Sequence, residues 1–244
     1  NQVFYSANGA VNGSSCSSSC SNFGLLAAKT KQIELGFKSR LSPFIKTNIA
    51  VFNADTTNDI VIGASNAGRN SFTNAPKTNR QGVEGSAQFK LPYSFETNLA
   101  YTWLRATVKE SYLTNSTNLS TFNTVESGNQ IPGVPNQGLF AELLWVKPNK
   151  SVEAAIEARA NGAMEANDLN TQYKAPGYAV MNIRGVLRQE IAGGWSFSQF
   201  FRLNNVFDRS YVGSVIVNQF FLRSYEPAPT RNWMIGAKAS YQFH

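Results

Sequence analysis

An all-β fold, an antiparallel barrel that crosses a membrane with its strands, is predicted here by three observations. Apolar and polar side chains alternate over segments of about ten residues, tight turns take turns with long polar connections, and aromatic residues gather near segment ends. The composition agrees. Of 244 residues only 15% are charged while 12% are aromatic, a balance opposite to that of a disordered chain. No apolar run approaches the ~20 residues that a membrane helix needs, so any crossing must use strands.

Taken in order, the first segment, 32–41, puts Ile33, Leu35, Phe37 and Leu41 on one face and Glu34, Lys38 and Arg40 on the other. Residues 46–53 form a weaker member with Ile49 and Val51. Val83, Ala87 and Phe89 oppose Glu84, Ser86 and Gln88. Phe95, Leu99, Tyr101 and Trp103 oppose Glu96, Asn98 and Thr102. Leu139, Leu143 and Trp145 oppose Glu142, and Val152, Ala154, Ile156 and Ala158 oppose Glu153, Glu157 and Arg159. Met181 and Ile183 flank Asn182 and Arg184. Trp195, Phe197, Phe201 and Leu203 oppose Ser196, Ser198, Arg202 and Asn204. Last, Trp233, Ile235, Ala237, Ala239, Tyr241 and Phe243 oppose Asn232, Lys238, Ser240 and Gln242. That makes about nine strands, with each of these charges on a polar face.

Alternation alone does not separate a membrane barrel from a soluble sandwich, whose apolar face points inward. The connections help. Turns at 41–44, 90–94, 146–151 and 189–194 are short, and three hold a proline; the stretches 54–78, 112–135, 163–175 and 206–230 read as long polar loops. Short turns on one rim and long loops on the other are the habit of outer-membrane barrels. Phe95, Trp103, Trp145, Trp195, Trp233, Tyr241 and Phe243 suit interfacial girdles against outer-membrane lipids.

Charge and cysteines add little. The formal net charge of +7 fits a solvated basic surface, contact with anionic headgroups, or attraction of an anionic solute. The basic residues are scattered, without the aromatic interleaving of a nucleic-acid stripe. No secretory signal is visible from Asn1 onward, which fits a mature chain or a fragment and does not exclude export. Cys16 and Cys20 lie in a Gly- and Ser-rich loop with no histidine except His244. A local disulfide in an oxidising compartment is expected, and no metal site.

The final strand ends Ala237, Ala239, Tyr241, Phe243. This resembles the terminal signature that the barrel-assembly machinery recognises through its aromatics, here Tyr241 and Phe243; His244 departs from it. Further motifs resemble those of TonB-dependent outer-membrane receptors of the siderophore-receptor type. Lys29-Thr-Lys-Gln-Ile-Glu-Leu-Gly36 is similar to their Lys-x-x-x-x-Glu-x-Gly strand. Asn79-Arg-Gln-Gly-Val-Glu84 is similar to their Gly-Val-Glu strand start, and Gly128-Asn-Gln-Ile-Pro-Gly-Val-Pro135 to a strand entry. Asn205-Val-Phe-Asp-Arg-Ser-Tyr211 resembles the Asn-Leu-Phe-Asp-Lys/Arg-x-Tyr signature, and Pro229-Thr-Arg-Asn-Trp233 the opening of the last strand. Five matches in family order cover nearly the whole chain. Residues 211–218 and 225–229 resemble a branch that includes ferric-siderophore receptors and importers of pyrroloquinoline quinone.

The resemblance implies a barrel of about 22 strands with a plugged lumen, of which residues 1–244 would be the C-terminal part, with the plug domain and earlier strands absent. It implies active uptake of a ferric siderophore or similar scarce solute, energised by the TonB complex through that plug. Transport rather than catalysis is expected: His244 alone supplies neither the proton transfer nor the nucleophile activation of outer-membrane barrel enzymes, and no resident cofactor is expected. An anionic chelate would want cations and aromatic faces in the loops and outer lumen. The candidates are Arg69, Arg105, Tyr112, Phe122, Tyr173, Lys174, Tyr211, Phe220, Phe221, Arg223 and Tyr225. Glu34, Lys38, Arg40, Glu153, Glu157, Arg159, Arg184 and Arg202 would line and hydrate the lumen or brace a plug, while Asp208 and Arg209 would form a turn. Two other readings stay open: a small complete barrel acting as a passive pore or anchor, and a soluble secreted β adhesin.

Overall fold

The computed structural model describes residues 25–66, 69–114, 123–171, 174–191, 193–219 and 223–242. Its strands are β1 (Lys29–Ser42), β2 (Ile45–Asn66), β3 (Arg69–Leu91), β4 (Phe95–Val108), β5 (Tyr112–Thr114), β6 (Asn123–Val125), β7 (Gln137–Val146), β8 (Val152–Asn161), β9 (Tyr178–Ile191), β10 (Trp195–Asn204), β11 (Val212–Val215), β12 (Tyr225–Pro227) and β13 (Asn232–Tyr241). Nine of them pair in one sheet in the order β1-β2-β3-β4-β7-β8-β9-β10-β13. Every neighbour is antiparallel, as hairpin connections dictate.

The register lines up the apolar rows. Leu35 faces Val51, Val51 faces Val83 and Val83 faces Trp103. Further along, Leu143 faces Ile156, Ile156 faces Ile183, Ile183 faces Leu203 and Leu203 faces Trp233. These side chains meet no second layer: Ile33 is 79% exposed, Leu35 75%, Trp233 67% and Ile235 64%. Each would forfeit roughly 1.5–3 kcal/mol if left in water. A continuous apolar face of this kind is the outer wall of a membrane barrel, not the buried face of a sandwich. The opposite parity carries most of the charges. Phe52, Phe140, Phe200 and Met234 are among the apolar residues there, and Gly236 leaves the space that the Phe200 ring fills.

The predicted short turns are present. Pro92, which has no N–H to extend the ladder, opens a single 3-10 turn where Tyr93 and Ser94 take φ of 59° and 63°. Gly194 has φ of +82°, and a Cβ there would lie 2.8 Å from the Gln242 carbonyl oxygen.

The long connections differ from expectation. The stretch 54–78 is not a loop. It continues β2 and β3 as a hairpin of 22- and 23-residue strands whose pairing runs to Asn66 opposite Arg69, with one irregularity between Ile62 and Ala64. Cross-strand pairing satisfies backbone groups whatever the polarity of the side chains, so the polar composition there was a misleading sign of irregularity. The other three connections also hold structure: the β5–β6 ribbon, a Met164–Ala175 bridge, and the β11–β12 ribbon. Asp208 and Arg209 do form a turn. Asp208 has φ of 53°, the Arg209 N–H donates to Asn205 Oδ1 at 2.9 Å, and the Arg231 N–H donates to Asp208 Oδ1 at 2.8 Å.

Asn218, 1% exposed, knots the connections together. Its Nδ2 donates to the Ile62 carbonyl at 2.6 Å and to Asp168 Oδ2 at 3.1 Å, while its Oδ1 accepts from the Asp168 N–H at 3.0 Å. Its backbone bonds Ala166 and Ser65. Tyr112 Oη donates to Asp168 Oδ2 at 3.4 Å and Asn129 Nδ2 to the Asp168 carbonyl at 2.9 Å, which ties in the stretch around β5 and β6. Burial, and then the Asp168 carboxylate, push the Tyr112 phenol well above its ordinary range, so it stays a donor.

Candidate functional site

Across the polar face of β4 to β13 runs a continuous chain of polar side chains. Asn98 Nδ2 donates to Glu142 at 2.9 Å, and Arg184 bonds Glu142 at 2.6 Å and Glu157 at 3.1 Å. Arg202 grips Glu157 with two bonds, at 3.1 and 2.6 Å, and donates through Nε to Asn204, which donates to Asn232. Two carboxylates face two guanidiniums here, so the belt neutralises itself. Charge-assisted, bidentate geometry makes its bonds the stronger kind. Glu153 is likewise held by Arg188 at 2.6 Å.

Arg159 stands outside this accounting. It projects on the same face from β8, two residues from the rim that bears the long connections, and no carboxylate pairs with it among the described residues. Its guanidinium carbon lies 5.5 Å from the centre of the Phe140 ring, a cation–π distance. Beside it, the Tyr178 and Tyr211 rings approach to 4.2 Å between centroids, and Asn161 Nδ2 donates to Tyr178 Oη at 2.9 Å. Burial raises the Tyr211 phenol above its usual range, Tyr178 adds to this and Arg159 opposes it. Arg159 and Tyr178 line two adjoining depressions, one with Phe140 and Asn161, the other with Tyr211, Asn182 and Asn204. The whole presents a cation without an ion-pair partner among the described residues, aromatic faces and amide groups, a surface suited to a flat anionic solute.

Of the residues expected to bind, Tyr211 alone belongs to this group. Arg105 carries the apolar parity of β4, opposite Gln81 and two residues beyond Trp103, and so faces away from the polar side. Its expected place in the lumen is corrected, because period-two geometry sends it outward with Trp103. Tyr112 is bound into the loop knot. Lys174 pairs with Glu165 at 2.8 Å. Tyr225 is exposed on β12, and Arg223 donates its backbone N–H to Gln219. Arg69 pairs through its backbone at the tip of the β2–β3 hairpin. Phe122, Tyr173, Phe220, Phe221, the Cys16–Cys20 pair and Phe243 lie outside the described residues. Phe140, Asn161 and Tyr178 were missed by sequence reasoning. The signal was available only for Phe140, an aromatic on the polar parity of its strand.

The fold is shared with solved structures of known transport proteins. The ferric preacinetobactin receptor from Acinetobacter baumannii matches with a TM-score of 0.63 and 15% identity over 88% of this chain and 29% of its own. The ferric yersiniabactin uptake receptor from Yersinia pestis gives 0.65 and 17% over 88% and 30%. The copper transporter OprC gives 0.61 and 15% over 91% and 32%. The chain therefore spans less than a third of the length of each. The family model described as TonB dependent receptor-like, beta-barrel matches residues 2–206, and the chain belongs to that family of bacterial outer-membrane barrels.

Proposed function

We propose that this chain is part of the wall of an outer-membrane receptor that takes up a ferric siderophore or a similar scarce anionic solute, with energy supplied through TonB. The observation that carries the reading is Arg159, an unpaired guanidinium framed by Phe140, Tyr178 and Tyr211 on the polar face near the long-connection rim. Nearby arginines on the same face are neutralised by carboxylates. Arg159 is exposed, and a cation beside aromatic faces offers an anionic aromatic solute both charge and a ring to lie against. The ferric-chelate receptors that share the fold add support of a general kind. In this reading the tyrosines and amides orient the solute, and the chain does no covalent chemistry.

The test is uptake in cells that lack the native gene and carry the full-length protein, supplied with labelled ferric citrate, ferric catecholates, copper or pyrroloquinoline quinone. At least one of these should depend on the protein, and Arg159→Gln should weaken binding of that solute about tenfold, or 1.4 kcal/mol. Uptake that persists without TonB would favour a passive pore. Binding unchanged by Arg159→Gln would remove the site from the proposal.

A further inference from the structure

Arg105 ends the outward row of β4, which runs Phe95, Thr97, Leu99, Tyr101, Trp103, Arg105 towards the rim of the long connections. From Phe95 to Trp103 the strand rises roughly 27 Å, or about 20 Å of height at the tilt of a barrel strand, against an apolar band about 25 Å tall. Trp103 therefore reaches the outer interface, and Arg105 lies just beyond it, where a lipid-facing cation is tolerated as it is not at the midplane. Two lysines extend this row. Lys109 follows β4 with the same parity, and its N–H donates to the Lys77 carbonyl at 2.9 Å, so the two stand opposite one another. Lys77 has the parity of Gln81, which faces Arg105, and of Val83, which faces Trp103. Like charges directly opposite repel. Arg105 and Lys109 are exposed, Lys77 half-buried, and no carboxylate pairs with any of them among the described residues. Asp55, on the same row of β2, accepts from Asn79, Asp59 is held by Arg80, and Glu110 takes the opposite parity. β3 and β4 lie inside the sheet with β2 and β7 on either side, so their outward row meets what surrounds the barrel and not a further strand.

We infer that Lys77, Arg105 and Lys109 form a headgroup site, on the outside of the wall, for a phosphorylated glycolipid of the outer leaflet. The three cations take the phosphates, and the exposed Val83, Tyr101 and Trp103 below them take the first part of the acyl chains. Each Lys or Arg at a charged membrane surface adds to the attraction, and the Arg105 guanidinium offers a phosphate two parallel N–H donors. Arg105 and Lys109 are roughly 13 Å apart along the strand. One phosphate cannot touch both levels, whereas a headgroup that carries more than one does. The site occupies the opposite face of the sheet from Arg159, so it stands or falls apart from the proposed function.

The experiment titrates the purified full-length protein in a non-ionic detergent with diphosphoryl lipid A and counts bound lipid by native mass spectrometry. Lys77→Gln/Arg105→Gln/Lys109→Gln should weaken binding at least about tenfold, and Arg105→Gln alone about fivefold. Lys77→Arg/Lys109→Arg should bind as the parent does. The inward-facing control Lys38→Gln/Arg40→Gln/Lys46→Gln removes the same charge and should change binding by less than about twofold. Equal loss in the control overturns the site, because net charge alone would then draw the lipid. Phosphatidylglycerol bound as tightly as lipid A overturns the glycolipid assignment, as does displacement of lipid A by an equal concentration of inorganic phosphate. Should the triple variant lose its strand signal in far-ultraviolet circular dichroism, Arg105→Gln decides: unchanged binding there overturns the proposal.

Discussion

The β7–β10 wall and the β1–β2 wall turn the same kind of face to the same side, yet they treat charge in opposite ways. In the first, Glu142, Glu157, Arg184 and Arg202 close on one another across four strands. In the second, Arg40 and Lys46 confront each other with no acid between them. Both walls obey the same alternation and both oppose like charges, Glu142 to Glu157 and Arg184 to Arg202 in the first and Arg40 to Lys46 in the second, so the difference lies in which charges the neighbouring strands supply. In β7–β10 the pairing sets carboxylates of adjacent strands within reach of arginines one strand further on. In β1–β2 no carboxylate among the described residues pairs with Arg40 or Lys46. One wall is thereby braced by its own side chains, and the other is left with charge to offer a partner.

The largest effect belongs to the feature that both walls share. Ile183→Arg, on the apolar row of β9, should cost about 2–4 kcal/mol in a bilayer, while Val186→Arg on the polar row of the same strand should be nearly neutral. Equal losses in denaturant titrations from liposomes would mean that the apolar rows do not face lipid. Next comes Glu157→Gln, which removes the negative charge that two arginines share and should destabilise the barrel by about 2 kcal/mol; a silent variant would show that the belt is ornamental to stability. Asn218→Ala should cost about 1–2 kcal/mol locally, visible as faster proteolysis of the long connections with little change in global unfolding. The smallest change has the opposite sign. Lys46→Gln removes a like-charge pair and should stabilise the protein by roughly 0.3 kcal/mol. Destabilisation there would mean that the cation already has a partner, and the contrast between the walls would dissolve.

Much of the fold was legible because a strand writes its two faces into alternate residues. Ile33, Leu35 and Phe37 on one side and Glu34, Lys38 and Arg40 on the other need no partner to be read correctly. The hairpin extension of β2 and β3 was not legible, since Asp55, Thr56, Thr57 and Asp59 look like loop residues until they pair with the opposite strand. Arg105 was misplaced for a related reason: it lies just past the alternation read from Phe95 to Trp103, whereas β4 runs on through it and it must follow Trp103 outward. The binding surface was mostly hidden. Tyr178 and Tyr211 are far apart in sequence and meet at 4.2 Å only because β9 and the start of the last long connection are folded together.

By itself the sequence determined which residues form strands, which face of each is apolar, and which family's motifs it carries. Those depend on local periodicity, which each segment contains entire. The tertiary structure alone decided which charges cancel and which remain free, because an ion pair is a property of register between strands. It left Arg159, Arg40 and Lys46 uncompensated and closed Arg184 and Arg202 on Glu157. No local pattern distinguishes those arginines from one another.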